Sequence, residues 1–266
     1  MPILDEGHGG LKEIIGVVHL LPLPGSPGWQ GNLDRVVEHA LRDADALAQG
    51  GVDAVIFENF RDVPFLSGPV PPETVAAMAV VIERVGRSIA VPFGVNVLRN
   101  DSIAALGLAY ATGGEFIRVN VHTGVMVTDQ GIVEGRAAET VRRRSGLGAR
   151  VKLLADVLVK HAVPLGEQDI RDAARAAVHR GLADALIVTG PFTGEEADPS
   201  DVKAVKEAVP QGTPVLVGSG VTEENIGTYL EWADGAIVGT SVKRDGVISN
   251  PVDRERVARL VSTGRG

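Results

Sequence analysis

The chain has 266 residues, of which 44% are hydrophobic and 23% are charged, and it carries a net charge of −8 with a pI near 5.3. These values are typical of a globular protein, and we predict one domain over residues 1–266. The acidic balance argues against a nucleic-acid partner, which requires a clustered basic face. The chain has no cysteine, which excludes disulfides and thiolate metal sites and agrees with the cytoplasm as the predicted location.

The N-terminal segment, MPILDEGHGG, is polar and lacks the basic start and apolar stretch of a secretion signal. No later apolar run approaches the ~18 residues that a membrane-spanning helix requires. The sequence therefore predicts a soluble protein without a transmembrane segment. Peripheral association with a membrane stays open.

Eight short apolar runs alternate with amphipathic helical segments along the whole chain. Their valine, isoleucine and leucine content is typical of strands that are buried on both faces of a parallel sheet. The predicted strands cover residues 14–20, 54–58, 91–97, 115–120, 151–156, 185–189, 215–218 and 236–239. Asp198-Pro199 and Asn250-Pro251 each predict a helix start, because a capping side chain precedes a proline.

The even-numbered strands share an entry pattern of a small-residue turn, an acidic residue and an apolar run. The acidic residues are Asp53, Glu115, Asp184 and Asp234, spaced by the length of two β/α units. Four such double units predict a closed (β/α)8 barrel, the TIM barrel of the α/β class, with these acids in structural positions. An open doubly wound sheet is disfavoured because no G-x-G-x-x-G follows the first strand.

The last two predicted strands each end in a turn of small residues. Thr222 follows the first turn and is the predicted cap of the next helix. Backbone N–H groups at such turns bind anions, and the loops after strands 7 and 8 form the phosphate site of many barrels. We therefore predict that a phosphate binds at Gly218, Ser219, Gly220, Gly239, Thr240 and Ser241.

Polar residues lie at the carboxyl ends of the predicted strands, where barrel enzymes place their reactive groups. Alternation along the strands predicts that they face the barrel mouth, since charged groups are costly between sheet and helices. The predicted catalytic residues are His19, Glu58, Asn96, Arg118, Asn120, His122, Asp156 and Lys160. In this hypothesis Asp156 and a histidine exchange a proton. The alternative for Arg118 is a structural bridge to Asp156.

Histidine and carboxylate groups that converge on one mouth are also ligands for divalent metals. The candidate ligands are His19, Glu58, His122 and Asp156. The chain has no H-x-H or H-E-x-x-H spacing, so we assign no metal ligand and leave the cofactor open.

Three predicted connections exceed the roughly 2 to 6 residues that are usual after a barrel strand. They are PLPGSPGWQG, RDVPFLSGPVPP and HTGVMVTDQGIVEG, after the first, second and fourth strands. Their apolar tips, Trp29, Phe65 and Met126, are predicted to close over a ligand or to contact another subunit. We therefore expect a homo-oligomer, with static surface loops as the alternative.

Several segments resemble the BtpA family. They are GVVHLLPLPGSP, GVNVLRND, FIRVNVHTGVMVTDQGIVEG, LLADVLVKH, PVLVGSGVT and ADGAIVGTS, and together they span nearly the whole chain. The resemblance implies a phosphate-binding barrel similar to the ribulose-phosphate-binding barrels. The family name records a requirement for stable photosystem I, which does not reveal a reaction.

Two classes of function follow. The first is an enzyme of the isomerase or lyase type that applies acid/base chemistry to a phosphorylated small molecule, such as a phosphosugar or a nucleotide. The second is a non-catalytic factor that supports photosystem I biogenesis or the assembly of a membrane complex. The polar strand ends favour the enzyme, because a pure scaffold does not need so many buried polar groups.

Overall fold

The computed structural model describes residues 12–166 and 168–266. The N-terminal segment MPILDEGHGG, in which the sequence shows no secretion signal, lies outside the described residues. The strands are β1 (Glu13–His19), β2 (Ala54–Glu58), β3 (Phe93–Asn96), β4 (Phe116–Val119), β5 (Val125–Thr128), β6 (Gly131–Glu134), β7 (Lys152–Val157), β8 (Ala162–Pro164), β9 (Ala185–Val188), β10 (Val215–Val217) and β11 (Gly235–Val238).

The helices surround the strands. They are α1 (Leu33–Gly50), α2 (Pro72–Gly86), α3 (Ser102–Thr112), α4 (Ala137–Gly146), α5 (Ile170–His179), α6 (Pro199–Ala208), α7 (Ile226–Leu230) and α8 (Arg254–Arg265). Among the described residues, no helix is long and apolar enough to cross a membrane.

Eight parallel strands close into a barrel in the order β1-β11-β10-β9-β7-β4-β3-β2, which confirms the predicted fold. Strand β3 begins at Phe93 and not at residue 91, because Pro92 has no N–H to donate to the sheet. Parallel pairing brings the strand ends together at one rim. His19 lies opposite Glu58, and Glu58 lies opposite Asn96.

The barrel interior is filled by aliphatic side chains and by the ring of Phe116. Gly94 on the neighbouring strand makes room for this ring, since a Cβ at Gly94 would lie 2.3 Å from it. The opposite faces of the strands pack against the helices in a larger core. The interior is therefore packed below the rim at the carboxyl end of the strands.

Three of the four acids predicted to be structural at the amino ends of the strands are confirmed in that role. Asp53, Asp184 and Asp234 each accept a hydrogen bond, of 2.7 to 2.8 Å, from the backbone N–H of a residue in an adjacent strand. Each also forms an ion pair with a basic side chain, from Arg265, Arg144 and Lys206 respectively. These contacts hold neighbouring strands in register.

The long connection after β4 is not a loop. Strands β5, β6 and β8 form a separate antiparallel sheet in the order β6-β5-β8. Met126 lies within it at 4% exposure, packed with Val121, Val133 and Val159. The prediction that Met126 is an exposed tip is therefore wrong, because strand pairing turns its side chain into this small core.

Of the predicted helix starts, only Asp198 is confirmed, with its side chain accepting from the N–H of Ser200. Helix α8 begins at Arg254 and is capped by Asp253, because the chain at Val252 first forms an extended bridge to Lys243. Thr222 does not cap a helix either. Its N–H donates to the Asn225 side chain, and α7 starts only after this turn.

Candidate active site at the carboxyl end of the barrel

A cavity of about 470 Å³ opens at the carboxyl ends of the barrel strands. Most of the predicted site residues line it, namely His19, Glu58, Arg118, Lys160, Gly218, Ser219, Gly220, Gly239, Thr240 and Ser241. Asn96, Asn120, His122 and Asp156 do not. The structure therefore joins the two glycine turns and part of the predicted catalytic wall in one space.

The two glycine turns supply hydrogen-bond donors. The N–H groups of Ser219, Gly220, Gly239, Thr240 and Ser241 donate to no protein acceptor among the described residues. The Ser241 hydroxyl is buried and also has no partner there. Clustered free N–H groups of this kind suit an anion.

Two members of the predicted phosphate site are engaged elsewhere. The Gly218 N–H donates to the Val188 carbonyl at 2.7 Å, and a Cβ at Gly218 would lie 2.4 Å from the Ile187 side chain. The Ser219 hydroxyl accepts the N–H of Gly190 at 2.7 Å. Gly218 therefore allows the backbone to pack closely against Ile187 and offers no N–H to a ligand. Ser219 can still donate its backbone N–H and its hydroxyl proton to a ligand.

The sequence analysis missed two arginines at the start of α8. Arg256 and Arg259 line the cavity beside the turn after β11. The Nε of Arg256 donates to the Ser241 carbonyl at 2.9 Å, and that of Arg259 to the Glu223 carboxylate at 3.2 Å. The sequence could have indicated both arginines, because they lie in the first turns of the helix that follows the last glycine turn.

Glu58 and His19 lie next to each other on the rim. Asn96 donates to one Glu58 carboxylate oxygen at 2.8 Å, and the other oxygen lies 4.0 Å from Nε2 of His19. Burial, followed by the charge of Lys243, lowers the pKa of His19 well below its ordinary value. His19 is therefore a neutral imidazole at neutral pH, and the Glu58 carboxyl group lies beside it on the cavity wall.

Asp156 holds Arg118 in place. The guanidinium donates to the two carboxylate oxygens at 2.9 and 3.0 Å, and Asn120 donates a third hydrogen bond at 2.9 Å. Although burial disfavours a charged guanidinium, the Asp156 carboxylate raises the pKa of Arg118. The structure thus has the predicted alternative, a bridge from Arg118 to Asp156, and it places Asp156 behind Arg118 and away from the cavity.

Lys160 reaches the cavity from a turn and not from a strand. Strand β7 ends at Val157, and Leu158 and His161 have positive φ angles of 48° and 57°. The backbone is fixed because Lys160 donates its N–H to Thr189 at 3.1 Å and accepts from Arg99 at 2.6 Å. Burial, followed by the charge of Arg118, lowers the pKa of Lys160 to about 8.

His122 does not face the barrel mouth, which corrects the prediction from strand alternation. Its Nε2–H donates to the Gly181 carbonyl at 2.8 Å, beyond the end of α5. Strand β4 ends at Val119, so the alternation that was extended to His122 does not hold there. Burial lowers the pKa of this histidine as well.

The four suggested metal ligands do not converge. His122 binds the Gly181 carbonyl, and the Asp156 carboxylate is occupied by Arg118 and Asn120. In residues 12–166 and 168–266, no group of three or more histidine, cysteine, aspartate or glutamate side chains is arranged to hold a metal ion. The alternative of a metal at these four residues is therefore not supported.

The strands, the rim cavity and the donor turns after the last two strands define a (β/α)8 barrel of the kind that has its site at the carboxyl end. The family model described as "BtpA family" matches residues 11–265, and the chain belongs to that family. It is 48% identical over 250 residues to the photosystem I biogenesis protein BtpA of Synechocystis sp., covering 94% of this chain and 87% of that protein. It is also 41% identical over 264 residues to the putative sgc region protein SgcQ of Escherichia coli, covering 98% and 97%.

Solved structures share the fold at low sequence identity. One, described as native KDPGal, superposes with a TM-score of 0.57 at 19% identity and covers 94% of this chain and 93% of its own. The N-(5'-phosphoribosyl)anthranilate isomerase of Pyrococcus furiosus has a TM-score of 0.55 at 13% identity, with 95% and 98% covered. These similarities establish the barrel architecture.

Proposed function

We propose that this chain binds a phosphorylated small molecule, a phosphosugar or a nucleotide, and catalyses acid/base chemistry of the isomerase or lyase type on it. One observation carries the proposal. The free N–H groups of the two glycine turns and the titratable side chains of Glu58 and Lys160 line the same cavity. A ligand whose phosphate is bound at the turns has the rest of its atoms within this cavity, beside those side chains.

The charges around the cavity support an anionic ligand. Arg118, Arg256 and Arg259 line it together with Lys160. Arg118 is held rigidly by two hydrogen bonds to Asp156, which suits the recognition of an oxygen-rich group because little ordering remains to be done on binding. Glu58, beside a neutral His19, is the group that we assign to proton transfer.

The structural neighbours fit this class of function. One of them is by name an isomerase of a phosphoribosyl compound. Because the identity is low, the likeness supports the proposal only by showing that the same barrel carries such chemistry in another protein. The substrate, the location in the cytoplasm and a homo-oligomer stay predictions, and the cofactor stays open.

The phosphate site is tested by calorimetric titration with ribose 5-phosphate. Ser241→Asp places a negative charge between the donors, and we expect it to weaken binding by at least about tenfold through like-charge repulsion. Ser262→Asp is the matched control, since it adds the same charge to an exposed position near the far end of α8. Equal binding by Ser241→Asp and Ser262→Asp would place the phosphate elsewhere.

A second candidate function is a non-catalytic factor for photosystem I biogenesis, and the 48% identity to the Synechocystis protein favours it. The two candidates differ in their dependence on Glu58. The test uses a Synechocystis strain that lacks its own BtpA protein. If the function is non-catalytic, the unchanged chain and the Glu58→Gln variant should both restore photosystem I in that strain. Restoration by the parent alone supports the enzyme.

A further inference from the structure

Two lysines of this barrel lie in different surroundings. Lys243 is fully buried, and its ammonium is bound to Asp43 at 2.7 Å. Lys160 lines the rim cavity, and its Nζ has no hydrogen bond and no ion pair within 4.0 Å to any other described residue. Lys160 is half-buried, and a partly desolvated ammonium without a partner is disfavoured. The surroundings of Lys160 therefore disfavour its ammonium form, whereas the Asp43 carboxylate stabilises the ammonium of Lys243.

After desolvation, the charge of Arg118 is the next largest effect that lowers the pKa of Lys160, and the charges of Glu58 and Asp156 oppose it. The Arg118 guanidinium lines the same cavity, and its charge repels an ammonium there. Asp156 attracts that ammonium, but both of its oxygens accept hydrogen bonds from Arg118 and neither accepts one from Lys160. Desolvation next to a fixed cation is one of the ways in which proteins make a lysine nucleophilic. Lys160 thus differs from an ordinary surface lysine in both protonation and access.

We propose that the Lys160 amine forms an imine with the carbonyl carbon of a phosphorylated aldehyde or ketone. The inference rests on the proposed function for its phosphate site and narrows the substrate to carbonyl compounds. The glycine turns hold the phosphate, and Arg118 and Lys160 lie on the cavity wall beside Glu58. A phosphosugar in its open-chain form has both of the required groups.

The atoms balance without an oxidant or a reductant. The nitrogen lone pair attacks the carbonyl carbon, the C–N bond forms, and the π electron pair moves to the oxygen. The nitrogen passes one proton to that oxygen, and Glu58 supplies a second proton, so that the C–O bond breaks and water leaves. The protonated imine then draws electrons from the neighbouring carbon, which favours the removal of a proton or the cleavage of a C–C bond there.

The test uses the full chain, sodium cyanoborohydride and two probes, D-glyceraldehyde 3-phosphate and dihydroxyacetone phosphate. Hydride transfer to the imine carbon leaves a stable secondary amine, which peptide mass spectrometry locates. We expect at least one probe to label Lys160 roughly tenfold or more faster than the exposed Lys203, because the bound probe is held next to the amine. Lys160→Arg keeps the positive charge and should lose this label while its melting temperature stays near that of the parent.

Unphosphorylated D-glyceraldehyde is the matched probe for the phosphate. Labelling of Lys160 that is equally fast with and without the phosphate would overturn the substrate class. If both phosphorylated probes label Lys160 no faster than Lys203 while ribose 5-phosphate still binds, the imine is wrong and the phosphate site stands. If Lys160 is labelled quickly but Ser241→Asp changes neither labelling nor ribose 5-phosphate binding, the proposed phosphate site is wrong and the imine stands.

Discussion

At the amino end of the barrel, Asp53, Asp184 and Asp234 each accept a backbone N–H and pair with a basic side chain near the surface. At the carboxyl end, Asp156 is buried and accepts hydrogen bonds from Arg118. Glu58 accepts a hydrogen bond from the Asn96 amide and lines the cavity. The same type of side chain thus holds strands in register at one end and sets up a site at the other. The two ends differ because Asp156 is buried while Asp53 is partly exposed, and because the N–H groups of the glycine turns at the carboxyl end have no partner among the described residues.

The comparison separates stability from function along the barrel axis. Carboxylates at the amino end are partly exposed, so solvent weakens their ion pairs, and their main contribution is the hydrogen bond to the adjacent strand. Carboxylates at the carboxyl end lie in drier surroundings, where a charge that loses its partner is costly. Matched substitutions at the two ends should therefore differ in size and in kind.

The largest expected effect is that of Asp156→Asn. The Asp156 side chain has no exposure, and its loss of charge leaves the Arg118 guanidinium buried without a counter-ion. We expect the free energy of unfolding to fall by about 3–5 kcal/mol, as measured by urea denaturation. A loss below about 1 kcal/mol would mean that water reaches Arg118 and that the carboxyl end is less dry than the structure indicates.

Glu58→Gln is expected to affect chemistry and to leave the fold intact. The amide keeps an oxygen that accepts a hydrogen bond from Asn96, but its N–H protons are too weakly acidic to be transferred to the leaving hydroxyl. We expect trapping of the Lys160 imine to slow by roughly 10²-fold, the usual contribution of a positioned acid. The measurement is the labelling rate at Lys160 with the phosphorylated probes. Unchanged labelling would assign the proton transfer to another group.

Acid should destabilise the protein through its buried histidines. The pKa values of His19 and His122 are lowered in the folded chain, so below about pH 6.5 the unfolded chain binds more protons. The free energy of unfolding should therefore fall as the pH drops from 7 to 5.5, by about 1 kcal/mol per pH unit for each histidine that stays neutral. Urea denaturation across this range measures it, and His122→Gln should reduce the slope. A flat profile would show that these rings take up protons without unfolding.

The smallest effect is expected at the amino end, for Asp53→Asn. The side chain is 37% exposed, and the asparagine oxygen still accepts the Ile14 N–H. Only the pair with Arg265 is lost, so the free energy of unfolding should change by less than about 1 kcal/mol. Binding of ribose 5-phosphate should equal that of the parent. A change as large as that of Asp156→Asn would remove the distinction between the two ends.

Much of the site could be predicted because barrel topology assigns position from order along the chain. The two glycine turns follow adjacent strands, and parallel pairing brings them to one rim. Side-chain direction beyond the strand ends could not be predicted. Alternation placed His122 in the mouth, although β4 ends at Val119. It placed Lys160 there by extending a strand, although the lysine arrives through a turn with two positive φ angles.

The sequence by itself determined the eight-stranded barrel and the position of the donor turns. Apolar periodicity and repeated strand entries are local patterns, and closure of a parallel sheet follows from them. Only the tertiary structure decided which polar groups are satisfied by one another. Asp156 accepts hydrogen bonds from Arg118 and Asn120, while the Lys160 Nζ and the N–H groups of the turns have no protein partner among the described residues. Such pairing depends on distances between residues far apart in the chain, which set both the desolvation of a charge and the partner that offsets it.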